Sequence, residues 1–223
     1  VGSRNVGKSN LMVNICMRLD WGICDCIDEV FIVSPNAKQD KSLKPLLDRY
    51  DGNVYTNPKG IDRIVGDILK YQHSFPEEDR PHSLIYYDDA VQKNSHVYNE
   101  FDLLSTRSRH SSLATCVQKL MSSKAIYRNN ATIVFLFKTR SNKEREQLYD
   151  YYGALKYKRK EFYKALDYAT KEPYSFLMIK LEGKDAPQYY RAFQENITDK
   201  FSSNNNIDDF ESNQIIEEDG YSE

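Results

Sequence analysis

No apolar run in this 223-residue sequence approaches a membrane span. The longest, Ala131-Thr-Ile-Val-Phe-Leu-Phe137, falls far short of the ~20 residues needed, and no basic-then-apolar leader opens the chain. The expectation is a protein that neither spans a membrane nor is secreted. Cysteine is scarce too: Cys16, Cys24, Cys26 and Cys116 include one close pair and no second pair to complete a zinc site, so neither a disulfide nor a structural metal is expected. The four histidines show no metal-ligand spacing. Lys and Arg are absent from Ser202 onward, where seven acids stand; the remainder therefore carries a net charge of +5, which permits nucleic-acid binding without demanding it.

What is present divides at the same place. Residues 1–200 read as one globular domain, and residues 201–223, with Ser202-Ser-Asn-Asn-Asn206 and then acids, bury too little to offset chain entropy and read as a disordered acidic tail. Within the domain, Val30–Val33, Ser83–Tyr87, Leu113–Val117 and Thr132–Phe137 are short β-rich runs suited to a parallel sheet covered on both faces. Helix-compatible stretches at about Ser9–Leu19, Lys59–Tyr71, Tyr98–Arg107 and Asn142–Tyr152 alternate with them, the last capped by Ser141. Alternation at these lengths predicts an α/β, doubly wound, mainly parallel sheet. Tyr174–Leu181 and Gln188–Phe193 alternate in polarity and predict a C-terminal β-hairpin.

Gly2-Ser3-Arg4-Asn5-Val6-Gly7-Lys8-Ser9 matches the eight-position phosphate-loop pattern, and Asn10 begins the helical stretch behind it. Gly2 and Gly7 free the backbone so that successive amides point at phosphates, and the helix N-terminus adds its positive end. Lys8 is placed to bridge the β- and γ-phosphates of ATP, and the Ser9 hydroxyl to ligate Mg²⁺. Such a loop hangs from the end of a central strand, yet only Val1 precedes Gly2. The first strand therefore reads as truncated, and residues 1–223 are expected to fold poorly alone.

The strand Ser83-Leu-Ile-Tyr-Tyr87 ends in Asp88-Asp89, the form of a Walker B element: Asp88 for the Mg²⁺ shell, Asp89 to orient or deprotonate a lytic water. GTPase signatures fail, since Asp88-Asp89-Ala-Val91 and Asn142-Lys-Glu-Arg145 stand where Asp-x-x-Gly and Asn-Lys-x-Asp belong. Kinases of nucleosides or nucleotides have no use for a second acid, so the doublet favours hydrolysis. Leu113–Val117 then runs into Gln118, suited to touch the γ-phosphate in ATPases with an additional strand between the Walker elements. Two arginines are candidates for a finger acting on a neighbouring subunit's γ-phosphate, Arg109 first and Arg128 second. Solvated surface arginines, or arginines on DNA phosphates, are the plainer readings of both.

The phosphate loop, Leu84–Asp89, Ser108-Arg-His110 leading to Gln118, and Tyr127-Arg-Asn-Asn130 before the strand to Phe137 together resemble the poxvirus-type genome-packaging ATPases of DNA viruses and virophages. These belong to the FtsK–HerA superfamily, and the resemblance spans about residues 1–195. It implies a homo-oligomeric ring, a hexamer, that couples ATP hydrolysis to driving double-stranded DNA into a preformed capsid. Capsid or portal-vertex proteins would be its partners, in the host-cell cytoplasm (the virus factory) or the virion. It carries Lys8, Ser9, Asp88, Asp89 and Gln118 to the roles above and Arg109 to the trans position. Tyr86-Tyr87 is more aromatic than the pattern. Other readings stay open: a DNA-transfer pump of a mobile element, a nucleoside or nucleotide kinase, or a nucleotide-binding switch. The surface that meets DNA is not legible; Lys156–Lys160, Gln92–His96 and Lys119–Lys124 are candidates, each more simply a solvated face.

Overall fold

A computed structural model of the chain describes residues 1–3, 5–18, 26–50, 53–57, 61–88, 102, 104 and 111–202. The expected helix Tyr98–Arg107, the loop Gln92–His96, Cys24 and almost all of the acidic tail lie outside these.

Two four-stranded sheets form the frame. The first is parallel throughout, in the order β2 (Val54–Tyr55), β1 (Glu29–Val33), β3 (Ser83–Tyr87), β4 (Ser111–Thr115). Alternation within its strands divides the side chains between two faces. Val30, Ile32, Leu84 and Tyr86 pack with Met12 and Cys16 of helix α1 (Lys8–Met17), and with Leu46 of α2 (Lys44–Arg49). Phe31, Val33, Ile85 and Tyr87 pack on the other face with Val65 and Ile68 of α3 (Ile61–His73). Burial on both faces explains why β3 can be apolar at four successive positions, with every residue buried.

The second sheet is antiparallel, in the order β5 (Ile133–Phe137), β6 (Phe176–Lys180), β7 (Gln188–Arg191), β8 (Glu195–Asn196). The expected hairpin is β6–β7. The remaining helices are α4 (Ala125–Asn129), α5 (Asn142–Leu148), continued by a π-helical turn over Tyr149–Gly153, and α6 (Arg159–Ala169). Phe162, Ala165, Leu166 and Ala169 recur at helical spacing and bury the inner face of α6 on Val134, Leu136, Leu177 and Ile179. Gly153 allows this packing, since a Cβ there would lie 2.5 Å from Cγ of Phe162. Ser141 caps α5 as expected, accepting a bond from the Glu144 N–H (3.3 Å).

Two expectations need correction. The strand read at Leu113–Val117 runs over Ser111–Thr115, because pairing with Ser83–Tyr87 sets its register, whereas the apolar run alone points two residues downstream. The run ending at Phe137 does not join the parallel sheet directly. It pairs antiparallel with β6, and its other flank meets Val1.

Val1 and Gly2 connect the two sheets. Val1 N donates to Phe135 O (2.6 Å) and Val1 O accepts from the Phe137 N–H (2.9 Å), the pattern of a parallel neighbour to β5. On the other side the Gly2 N–H donates to Val117 O (3.1 Å). The phosphate loop thus leaves from between β4 and β5, and β4 separates it from the strand carrying Asp88, which is the additional-strand arrangement expected.

Candidate functional site

The C-terminal ends of β1, β3 and β4 lie on one edge of the parallel sheet, where ligands bind in open α/β folds. Asp88 follows β3 directly; its N–H donates to Val33 O (2.9 Å), and its carboxylate is buried and accepts from the Ser34 hydroxyl (3.5 Å). Gln118 follows β4, and the next turn is held by the buried Glu144 carboxylate, which accepts from the Leu120 N–H at 2.6 Å.

The loop before α1 is shaped for an anion. Asn5 (φ 59°) and Gly7 (φ 97°) take left-handed conformations, turning the chain into the helix. Gly7 is the N-cap and supplies no side-chain bond, and no acidic residue occupies the first turn, so the opening amides of α1 have no carboxylate to satisfy them. Lys8 Nζ lies back along the loop, donating to Gly2 O (2.8 Å) and Ser3 O (2.7 Å). Gly2 departs from the reading that it frees the backbone: its φ is not positive. It is required by packing, because a Cβ would stand 2.7 Å from Cβ of Phe137.

Asn5, Gly7, Lys8, Ser9 and Asn10 share one cleft of about 700 Å³ with Asp88 and Gln118. The residues chosen at three separate places in the sequence therefore converge. Ser9 and Asp88 offer hydroxyl and carboxylate oxygens to that cleft, a donor set suited to Mg²⁺, which keeps several waters and takes only one or two protein oxygens. Among the described residues no group of three or more His, Cys, Asp or Glu side chains forms a metal-binding cluster.

Behind the cleft, Tyr86 and Cys116 are buried beside Asp88. Burial, and secondarily the Asp88 charge, pushes the Cys116 thiol up to about 11. Burial raises the Tyr86 hydroxyl well above its ordinary range, with Cys116 and Asp88 adding to the effect. Both groups stay neutral at physiological pH and form an uncharged floor.

Arg4, Asp89 and Arg109 lie outside the described residues. Arg128 is 9% exposed and engaged within its own subunit: its guanidinium donates to Ser123 O and to Tyr151 Oη (3.1 Å) and lies 4.8 Å over the Tyr151 ring. It does not project from the surface as the finger reading requires, because the turn at Ser123 and the Tyr151 ring hold it as an internal clamp. Val6 packs beneath the loop against Phe137, Phe176 and Leu11.

Four lining residues were not singled out from the sequence: Asn36, Asp40, Ser42 and Tyr174. The first three follow β1, and the rule that loops at the C-terminal ends of parallel strands face the ligand was signal enough to find them. Asp40 is partly committed, accepting from the Ser42 N–H (2.9 Å) and hydroxyl (2.5 Å). Nothing in the sequence pattern marked Tyr174.

No family model matches the chain, and no curated protein matches it. Solved structures do. The genome-packaging NTPase B204 from Sulfolobus turreted icosahedral virus 2, in complex with sulfate, superposes with a TM-score of 0.61 at 16% identity, over 84% of this chain and 90% of that one. The same protein in complex with AMPPCP gives 0.58 at 18% identity, over 80% and 89%. The structure of B204 described as the DNA-packaging ATPase from Sulfolobus turreted icosahedral virus gives 0.55 at 16% identity, over 80% and 89%. The chain therefore has the α/β fold of these viral genome-packaging P-loop NTPases, with its phosphate loop between the parallel sheet and the antiparallel one.

Proposed function

We propose that the chain is an ATP hydrolase that drives double-stranded DNA into a preformed viral capsid. One observation supports this above the others: the phosphate loop, Asp88 and Gln118 line a single cleft in a fold shared with packaging NTPases. In this reading the loop amides and Lys8 hold the β- and γ-phosphates, Ser9 and Asp88 hold Mg²⁺, and Gln118 contacts the γ-phosphate. Mg²⁺, when bound, neutralises phosphate charge. Asp89, next after Asp88, orients the lytic water, and Arg109 is the finger that completes a neighbour's site in a homo-oligomeric ring, a hexamer. Arg128, spent on its internal contacts, is the weaker candidate. Residues 1–200 make up the motor domain and 201–223 an acidic appendage, with capsid or portal-vertex proteins as partners in the host cytoplasm or virion. Among the described residues no helix is long and apolar enough to cross a membrane.

The test is ATPase rate against protein concentration, with and without double-stranded DNA, on protein extended ahead of Val1 by an apolar strand. Cooperative rise with concentration, stimulation by DNA and loss with Arg109→Ala support the motor. Turnover that needs a nucleoside or nucleotide acceptor would replace it with a kinase. Asp89→Asn should keep nucleotide binding and abolish hydrolysis; unchanged function in that variant would indicate a switch.

A further inference from the structure

Tyr174 is held in a conformation its residue type disfavours, with its ring beside the phosphate loop. It occupies the third position of a turn closed by the Ser175 N–H to Glu172 O (3.2 Å), with Pro173 at the second position. Its φ of 63° is the left-handed value for which such turns take Gly or Asn. The side chain is 69% exposed, more than any other large apolar side chain among the described residues. Among the described residues its ring has no aromatic partner and its hydroxyl no hydrogen bond. Residues held in disfavoured backbone conformations cluster at ligand clamps.

The ring lies beside the phosphate loop. A Cβ on Gly7 would lie 3.2 Å from Tyr174 Cδ1 and 3.4 Å from its Cβ, so the ring closes on the rim of the cleft where Gly7 has no side chain. The direction is informative as well. Asp88 and Gln118 stand at the ends of β3 and β4, which sets the γ-phosphate end of a bound nucleotide on the parallel-sheet side. Tyr174 stands two residues before β6, on the antiparallel-sheet side of the loop, where the nucleoside end of the same linear ligand must emerge.

We propose that Tyr174 is the nucleobase platform of this site, its ring stacking on the base of the bound nucleoside triphosphate. The inference rests on reading the cleft as a nucleotide site. It adds a grip on the base to a cleft whose other lining groups suit phosphate and metal.

The test compares equilibrium binding of ATP, ribose 5-triphosphate and inorganic tripolyphosphate to the full chain and to Tyr174→Ala, Tyr174→Phe and Tyr174→Gly. Loss of one base–aromatic stack weakens ATP binding by roughly 5- to 150-fold. Tyr174→Ala should show that loss for ATP while both base-free probes bind as before, and Tyr174→Phe should keep ATP within about 2-fold because the ring suffices. Tyr174→Gly relieves the positive φ and should raise the melting temperature while weakening ATP, a pairing that a structural role for the ring cannot produce. Equal weakening of all three ligands in Tyr174→Ala would mean that the ring only props Gly7, and the proposal falls. Loss shared by ribose 5-triphosphate but not tripolyphosphate would move the contact to the sugar and overturn it also. If the unaltered chain binds tripolyphosphate as tightly as ATP, the phosphate site stands and the platform does not. Binding of none of the three by protein that melts cooperatively overturns both.

Discussion

In the parallel sheet, β1, β3 and β4 all finish at the same edge, and the residues that follow them, Ser34, Asp88 and Gln118, meet there. In the antiparallel sheet successive strands finish at opposite edges, so no edge collects chain reversals of one polarity. Its polar interior groups satisfy one another: Tyr189 Oη donates to Tyr152 O (2.6 Å), and Tyr157 Oη donates toward Ile197 O (3.0 Å) and Thr198 O (2.9 Å). Strand polarity thus gathers Asp88 and Gln118 at one edge of the first sheet, whereas the second reaches the cleft through Tyr174, in the turn before β6, and α1 touches both. Met12 and Cys16 lie on the first half, and Leu11 lies on Phe137 and Phe176 of the second.

That separation is open to attack. The largest effect is expected from Phe162→Ala: the side chain is fully buried between α6 and the antiparallel sheet, and its loss should cost about 3–5 kcal/mol by urea unfolding. ATP hydrolysis per folded molecule should stay unchanged, and a parallel fall in that rate would erase the distinction. Lys8→Ala is the mirror experiment, since its Nζ donates to the loop carbonyls of Gly2 and Ser3 at the cleft. Hydrolysis should fall about 10²–10³-fold with the unfolding midpoint nearly constant.

Much of this was legible because two kinds of signal are local. A phosphate loop needs its glycines, lysine and serine within eight positions, and β1, β3 and β5 are short apolar runs whose burial follows from their own composition. What was missed depends on distant partners. The start of β4 is Ser111-Ser112, polar by itself and a strand only because Ser83 and Leu84 lie beside it. The two residues of β2 are too few to show a period and pair with Ile32 and Val33. Helix α6 did carry a readable stripe, Phe162-Ala165-Leu166-Ala169, overshadowed by the basic cluster Lys156–Lys160 at its start. Arg128 looked available as a charge in a loop, and its burial depends on Tyr151, which only the fold brings near.

The bare start of α1 carries a last consequence. A serine, threonine or aspartate at an N-cap ordinarily stabilises a helix by about 1 kcal/mol over alanine and by roughly a few tenths over glycine, through a side-chain bond to the opening amides. Here that position is a glycine in a left-handed turn, and the helix is left unfinished. An anion seated on the loop finishes it, so ligand binding and helix completion are one event, and the melting curve becomes a binding assay. A triphosphate at 100 times its dissociation constant should stabilise the whole fold by about 2.7 kcal/mol, and a mobile anion thereby acts as the missing first residue of the helix.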